Sequence, residues 1–94
     1  MWTVLEAAAV SKELDRAPKE IQEKFTKWLD IARLSGPPGL RAIKGFKDHA
    51  LKGEWAGARS SYLNKQWRVI YSVDSDQIRI LVLRVTPHDY RKRS

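Results

Sequence analysis

Apolar residues recur every three to four positions from Ala8 to Leu34, and every second position along stretches after Gly57. The first spacing belongs to a helix and the second to a strand. Ahead of the helical part, residues 1–6 (MWTVLE) suit a first strand. A short helix is expected over 8–17, with Pro18 well placed as the first residue of a second. That second helix, PKEIQEKFTKWLDIARL, carries Ile21, Phe25, Trp28, Leu29, Ala32 and Leu34 near one face, with Lys and Glu opposite. SGPPG at 35–39 should stop it. The following LRAIKGFKDHALKGEW is rich in Gly and Lys and weakly periodic, so a long loop is expected. Strands follow over 57–64, 66–73 and 77–86, and their short connections make them an antiparallel meander. The expected fold class is α+β: a strand, a two-helix hairpin and three strands, with the helices on one face of a small sheet. At 94 residues, one domain spans 1–94.

The period of two also sorts the strand residues by face. Trp67, Val69, Tyr71 and Val73 share one face, and Arg68, Ile70 and Ser72 the other. On the preceding strand, Arg59, Ser61 and Leu63 alternate with Ala58, Ser60 and Tyr62. If the helices cover one face only, a mixed face of arginine, serine and tyrosine is left open. Arg68 should then project from a rigid sheet into an exposed concavity, where its charge has a use.

Charge sharpens this picture. Eighteen Lys and Arg against eleven Asp and Glu give a formal +7. Residues 8–34 are nearly balanced, so the excess belongs to the middle loop, the strands after it and the C-terminus. A basic surface of this kind suits a polyanion, most often nucleic acid, although solubility alone also favours net charge. The chain has no cysteine, which excludes disulfides and thiol catalysis and fits a reducing compartment. The N-terminus lacks a basic n-region and is not expected to be a signal peptide; no apolar run is long enough for a membrane span. A soluble, cytoplasmic protein without a membrane partner is expected.

Candidate chemistry is narrow. Two histidines and no cysteine are too few for a zinc site, and no phosphate-cradling glycine motif is present. What remains is basic and aromatic: His49, Lys52, Arg59, Tyr62, Lys65, Trp67, Arg68, Arg84, His88 and Tyr90. Such a set supports RNA cleavage without metal or cofactor. A base takes the ribose 2′-OH proton, the oxygen attacks phosphorus, an acid protonates the leaving oxygen, and cations hold the phosphate charge. Histidine serves either proton role near neutral pH, and arginine binds phosphate bidentately. Plainer uses exist for each residue: His49 as a loop histidine beside Asp48, His88 as a strand-end cap after Pro87, Trp67 as core. Arg91, Lys92 and Arg93 would then be a solvated tail.

The second half takes the reading further. LKGEWAGAR at 51–59, WRVIY at 67–71, the acidic turn at 74–76 and HDY at 88–90 together resemble the RelE/ParE superfamily of bacterial toxins, most closely its RelE/StbE branch with YafQ-like and YoeB-like features. The resemblance covers nearly the whole chain. It implies a RelE-like sheet with a helical hairpin, and a toxin of a type II toxin–antitoxin system that acts as a ribosome-dependent endoribonuclease. Such an enzyme cuts mRNA in the A site and is neutralised by a cognate antitoxin. The expected partners are therefore an antitoxin, the ribosome and mRNA. On this resemblance Arg68 falls where nuclease members hold the scissile phosphate. His49 and His88 fall at catalytic positions, Arg59 lies along the groove and is expected to stabilise the phosphate together with Arg68, and Tyr90 corresponds to a C-terminal tyrosine. Lys44, Lys47, Lys52, Tyr62, Lys65, Arg84, Arg91, Lys92 and Arg93 are expected to touch RNA. The chain departs from YafQ-like members at Tyr62 and Gln66, where they carry histidine and aspartate. The general base therefore stays open between His49 and another group. A ParE-like gyrase inhibitor without nuclease activity is the alternative that the fold allows.

Overall fold

The computed structural model describes residues 1–87. Strand β1 (Thr3–Glu6) leads into helix α1 (Ala8–Arg16) and helix α2 (Lys19–Ala42); the strands β2 (His49–Ala50), β3 (Ala58–Tyr62), β4 (Arg68–Asp74) and β5 (Arg79–Thr86) follow. They form one sheet in the order β1-β5-β4-β3-β2. The α+β class and the β3-β4-β5 meander match the sequence expectation, and no helix among the described residues is long and apolar enough to cross a membrane.

Three local expectations change. The SGPPG stretch interrupts the helix without ending it. Gly36 takes φ 64° and ψ −159°, a region essentially reserved for glycine, and the chain resumes helical geometry to Ala42. Pro37 and Pro38 suit that restart because first-turn positions need no amide donor. Secondly, β1 pairs parallel with β5, Thr3 opposite Arg79 through Glu6 opposite Val82, so the sheet is not antiparallel throughout. Thirdly, the long segment after α2 is structured. It holds a 3₁₀ turn at Lys44–Phe46, the two-residue β2 on the sheet edge, and a second 3₁₀ turn at Gly53–Trp55.

The core forms where the helical face meets the sheet. Ile21, Phe25, Trp28 and Ala32, spaced by three or four, bury against Val69, Tyr71, Ile80, Val82 and Val85. Phe25 stacks on Trp28 with ring centroids 5.8 Å apart, and Trp28 meets Tyr71 edge-on at 5.3 Å. The reverse face is not left open as expected. Ile70 and Ala58 pack there against Leu51, with Trp55 and Leu83 alongside, so the 51–55 segment covers part of it.

Turns and edges are closed by side chains. Asn64 Oδ1 accepts the amides of Gln66 (2.8 Å) and Trp67 (2.7 Å), fixing the β3–β4 connection. Beyond Val82, where pairing with β1 ends, Glu13 of α1 takes over: one carboxylate oxygen accepts the Val85 amide at 2.8 Å and the other Arg84 Nε at 2.6 Å. An otherwise exposed strand edge is thereby satisfied.

Candidate active site

Register places the candidate groups. Tyr62 lies opposite Arg68, and His49 lies opposite Ser60, so all three project from the face turned away from the helices. The Arg68 guanidinium carbon sits 4.5 Å from the Tyr62 ring centroid, within cation–π range. Arg68 Nη1 also donates to the Gln66 carbonyl at 3.0 Å. Lys47 Nζ approaches the same ring at 5.8 Å, and the His49 ring stands edge-on to it at 6.3 Å. One tyrosine thus gathers two cations and an imidazole. Arg68 is only 5% exposed, because it lies along Tyr62 rather than reaching into an open concavity as its strand position suggested. Tyr62 also lines an open groove of about 360 Å³ with Lys24, Lys27, Ile31 and Phe46.

His49 is held in one tautomer. Lys47 takes a left-handed conformation, φ 45°, and its carbonyl lies 2.7 Å from His49 Nδ1. A carbonyl only accepts, so Nδ1 carries the hydrogen and Nε2 of the neutral ring presents its lone pair. Nε2 is buried and has no hydrogen-bond partner among the described residues. A buried imidazole nitrogen with no partner is a polar group that the fold leaves unsatisfied.

Arg59 is elsewhere. It lies opposite Tyr71 on the helix-covered face, and its Nε donates to Asp48 Oδ1 at 2.7 Å. The expected pairing of Arg59 with Arg68 at one phosphate is corrected by strand parity: the two project from opposite faces. Asp48, which sequence reasoning passed over, has a side chain wholly excluded from solvent. It also accepts Ser61 Oγ at 2.6 Å and the Tyr71 hydroxyl at 2.5 Å. Burial, and then the Asp48 carboxylate, hold the Tyr71 hydroxyl protonated well above the usual tyrosine range. Burial opposes charge on Arg59, but its bond to Asp48 outweighs this and raises the guanidinium further. A signal was present in the sequence: Arg59, Ser61 and Tyr71 share the parity of the core face, where polar groups need a partner.

The other expected RNA contacts scatter. Lys44 is exposed on the first 3₁₀ turn, Lys52 is exposed just before the second, and Lys65 is exposed in the β3–β4 turn. Arg84 is paired with Glu13 at 2.6 Å. His88, Tyr90, Arg91, Lys92 and Arg93 lie outside the described residues.

Comparison with known proteins fixes the family. Residues 9–90 match the family described as bacterial toxin of type II toxin-antitoxin system, YafQ. The chain belongs to this toxin family. Solved structures agree in fold. YafQ from E. coli strain BL21(DE3) superposes with a TM-score of 0.77 at 20% identity, covering 94% of each chain. A chain of the archaeal RelE–RelB complex from Pyrococcus horikoshii OT3 gives 0.74 at 28% identity, covering 99% of this chain and 98% of that one. The E. coli DinJ–YafQ toxin-antitoxin complex gives 0.75 at 22%, covering 93% and 92%. No curated protein matches the chain. Against the YafQ background, Tyr62 supplies a cation-stacking platform at the position where the resemblance leads one to expect histidine.

Proposed function

We propose that this YafQ-family toxin is a ribosome-dependent endoribonuclease that cleaves mRNA in the A site through attack of the ribose 2′-OH. The observation that carries the reading is the convergence of His49, Arg68 and Lys47 on the Tyr62 ring, with His49 Nε2 left as the bare nitrogen. In the reaction, Nε2 takes the 2′-OH proton and the oxygen forms a bond to the adjacent phosphorus. The bond from phosphorus to the 5′ oxygen breaks, and an acid returns a proton to that oxygen. The products are a 2′,3′-cyclic phosphate and a free 5′-OH. Arg68 stabilises the charge that gathers on the non-bridging oxygens, and Lys47 adds a second cation. Stacking on Tyr62 presets the Arg68 guanidinium, so little rotamer freedom is lost when phosphate arrives. The acid is His88, from its place in the sequence. Arg59 has no part at the phosphate.

A cognate antitoxin holds the toxin in check. Its chemistry should mirror this surface: an acidic segment, ordering as it binds and covering the basic groups around Tyr62. E. coli YafQ is found in a toxin-antitoxin complex with DinJ, and the Pyrococcus horikoshii RelE in a complex with RelB.

Primer extension on a defined mRNA tests the reading, with the toxin added to programmed ribosomes and, in parallel, to naked RNA. Breaks at the A-site codon on ribosomes alone, ending in cyclic phosphate, are the expected result. Intact mRNA in both tubes overturns it and leaves gyrase inhibition as the next assay. Breaks ending in 3′-OH and 5′-phosphate overturn the 2′-OH route.

A further inference from the structure

We infer that Asp48 is the positioning residue of this site, a role that rests on the reading of His49 as the base. His49 belongs to a strand of two residues, paired to β3 only through His49–Ser60 and Ala50–Arg59. So short an edge strand has little ladder to hold it, yet a base must stay within hydrogen-bond reach of its proton. The neighbouring Asp48 supplies what the ladder lacks. Its carboxylate accepts Arg59 Nε and Ser61 Oγ from β3 and the Tyr71 hydroxyl from β4. Those donors fix one residue against two strands on the helix-covered face. Because successive side chains alternate, a fixed Asp48 sends His49 to the opposite face, toward Tyr62. On the other side of Asp48, the left-handed Lys47 turns its carbonyl onto His49 Nδ1 and sets the tautomer. The carboxylate therefore acts through the backbone on either side of it. It never meets the substrate: its side chain is wholly buried behind the sheet. The same anchor explains why Arg59, a groove residue by sequence, faces away from Arg68.

Two readouts test the role on the full chain. The first is a cleavage cycle on programmed ribosomes: Asp48→Asn in the wild type and in a His49→Gln background, with Ser61→Ala as a milder variant that keeps the Asp48–Arg59 pair. A misplaced base costs on the order of 10²-fold, so Asp48→Asn should slow the wild type by roughly 10–100-fold. Ser61→Ala should slow it only a few-fold. In the His49→Gln background, Asp48→Asn should change the rate by less than about 2-fold, since the base it positions is already gone. Equal fold-losses in both backgrounds overturn the inference. The second readout is the ¹⁵N spectrum of the imidazole, with His88→Gln leaving His49 as the sole histidine. The parent should show the Nδ1–H form. Asp48→Asn and Ser61→Ala should move both nitrogens toward the average of a free imidazole. An unmoved spectrum in both, in folded protein, overturns the inference. Should Asp48→Asn fail to fold, Ser61→Ala carries both readouts alone. A wild type that cuts nothing defeats the nuclease reading only, because the spectrum still decides whether Asp48 positions His49.

Discussion

Tyr71→Phe isolates one hydroxyl in the middle of the molecule. The ring stays, with its edge contact to Trp28, and only the bond to Asp48 is lost. A hydrogen bond to a charged group contributes about 1.5–3 kcal/mol. Asp48 keeps Arg59 and Ser61 as donors, so the lower part of that range applies, about 1.5–2 kcal/mol. For a domain of this size that lowers Tm by roughly 6–15 °C. The pH dependence is more diagnostic than the size. Burial and Asp48 raise the Tyr71 pKa in the folded chain, whereas the unfolded chain releases this proton near about pH 10. The hydroxyl's contribution is therefore complete below pH 10 and declines as pH rises toward the folded value, because the unfolded state then binds fewer protons. At pH 11 the decline amounts to about 1.4 kcal/mol, so the gap between wild type and Tyr71→Phe should nearly close. Urea unfolding of both proteins at pH 8, 10 and 11 measures it, and the other titrating groups cancel in the difference. A gap that stays constant or widens with pH would refute the account of the Asp48 cluster.

Other perturbations have equally definite outcomes. Gly36→Ala should cost about 2 kcal/mol or more in thermal melts, since φ is 64° there and the new methyl would run into the Trp2 indole. Glu13→Ala, which removes the carboxylate that accepts the Val85 amide and Arg84 Nε, should cost about 1–2 kcal/mol; Glu13→Gln, keeping an acceptor, should cost less by chemical denaturation. Tyr62→Ala should slow A-site cleavage on the order of 10-fold by releasing Arg68 from its platform, while Tyr62→Phe, which preserves the ring face, should stay within about 3-fold. Equal losses in the two would show that the hydroxyl, not the face, is what the site uses.

The parts of the fold carried by local period were legible in the sequence. Ile21, Phe25, Trp28 and Ala32 mark the buried face of α2, and strict alternation on β4 sends Trp67, Val69, Tyr71 and Val73 to the core side. The interruption at Gly36 was legible too, but the helical restart was not, because Pro37 reads as a stop when its fitness for a first turn is overlooked. β2 has two residues, too few for any period, and the parallel pairing of β1 with β5 joins segments more than seventy positions apart. For the site, period two left Arg68 and Tyr62 to an open mixed face, but His49 was read as part of a loop, and only the pairing of His49 with Ser60 brings it to that face. Sequence reading misplaced Arg59 because charge drew it to the phosphate, when its parity with Ser61 and Tyr71 put it on the core side beside a buried acceptor. The burial of Arg68 depends on the Tyr62 face lying against it, a side-chain packing that no spacing records.

The most direct test of the account is the single-turnover rate of A-site cleavage on programmed ribosomes for wild type, His49→Gln and Arg68→Ala. Loss of a proton-transfer group should cost on the order of 10²–10⁴, and loss of a charge stabiliser on the order of 10²–10³. Both variants should still fold, so their melts separate chemistry from stability. Cleavage by the wild type with both variants slowed by at least about 10²-fold is the result predicted here. Both variants cutting at the wild-type rate would contradict it, and the chemistry would then have to lie away from the Tyr62 face.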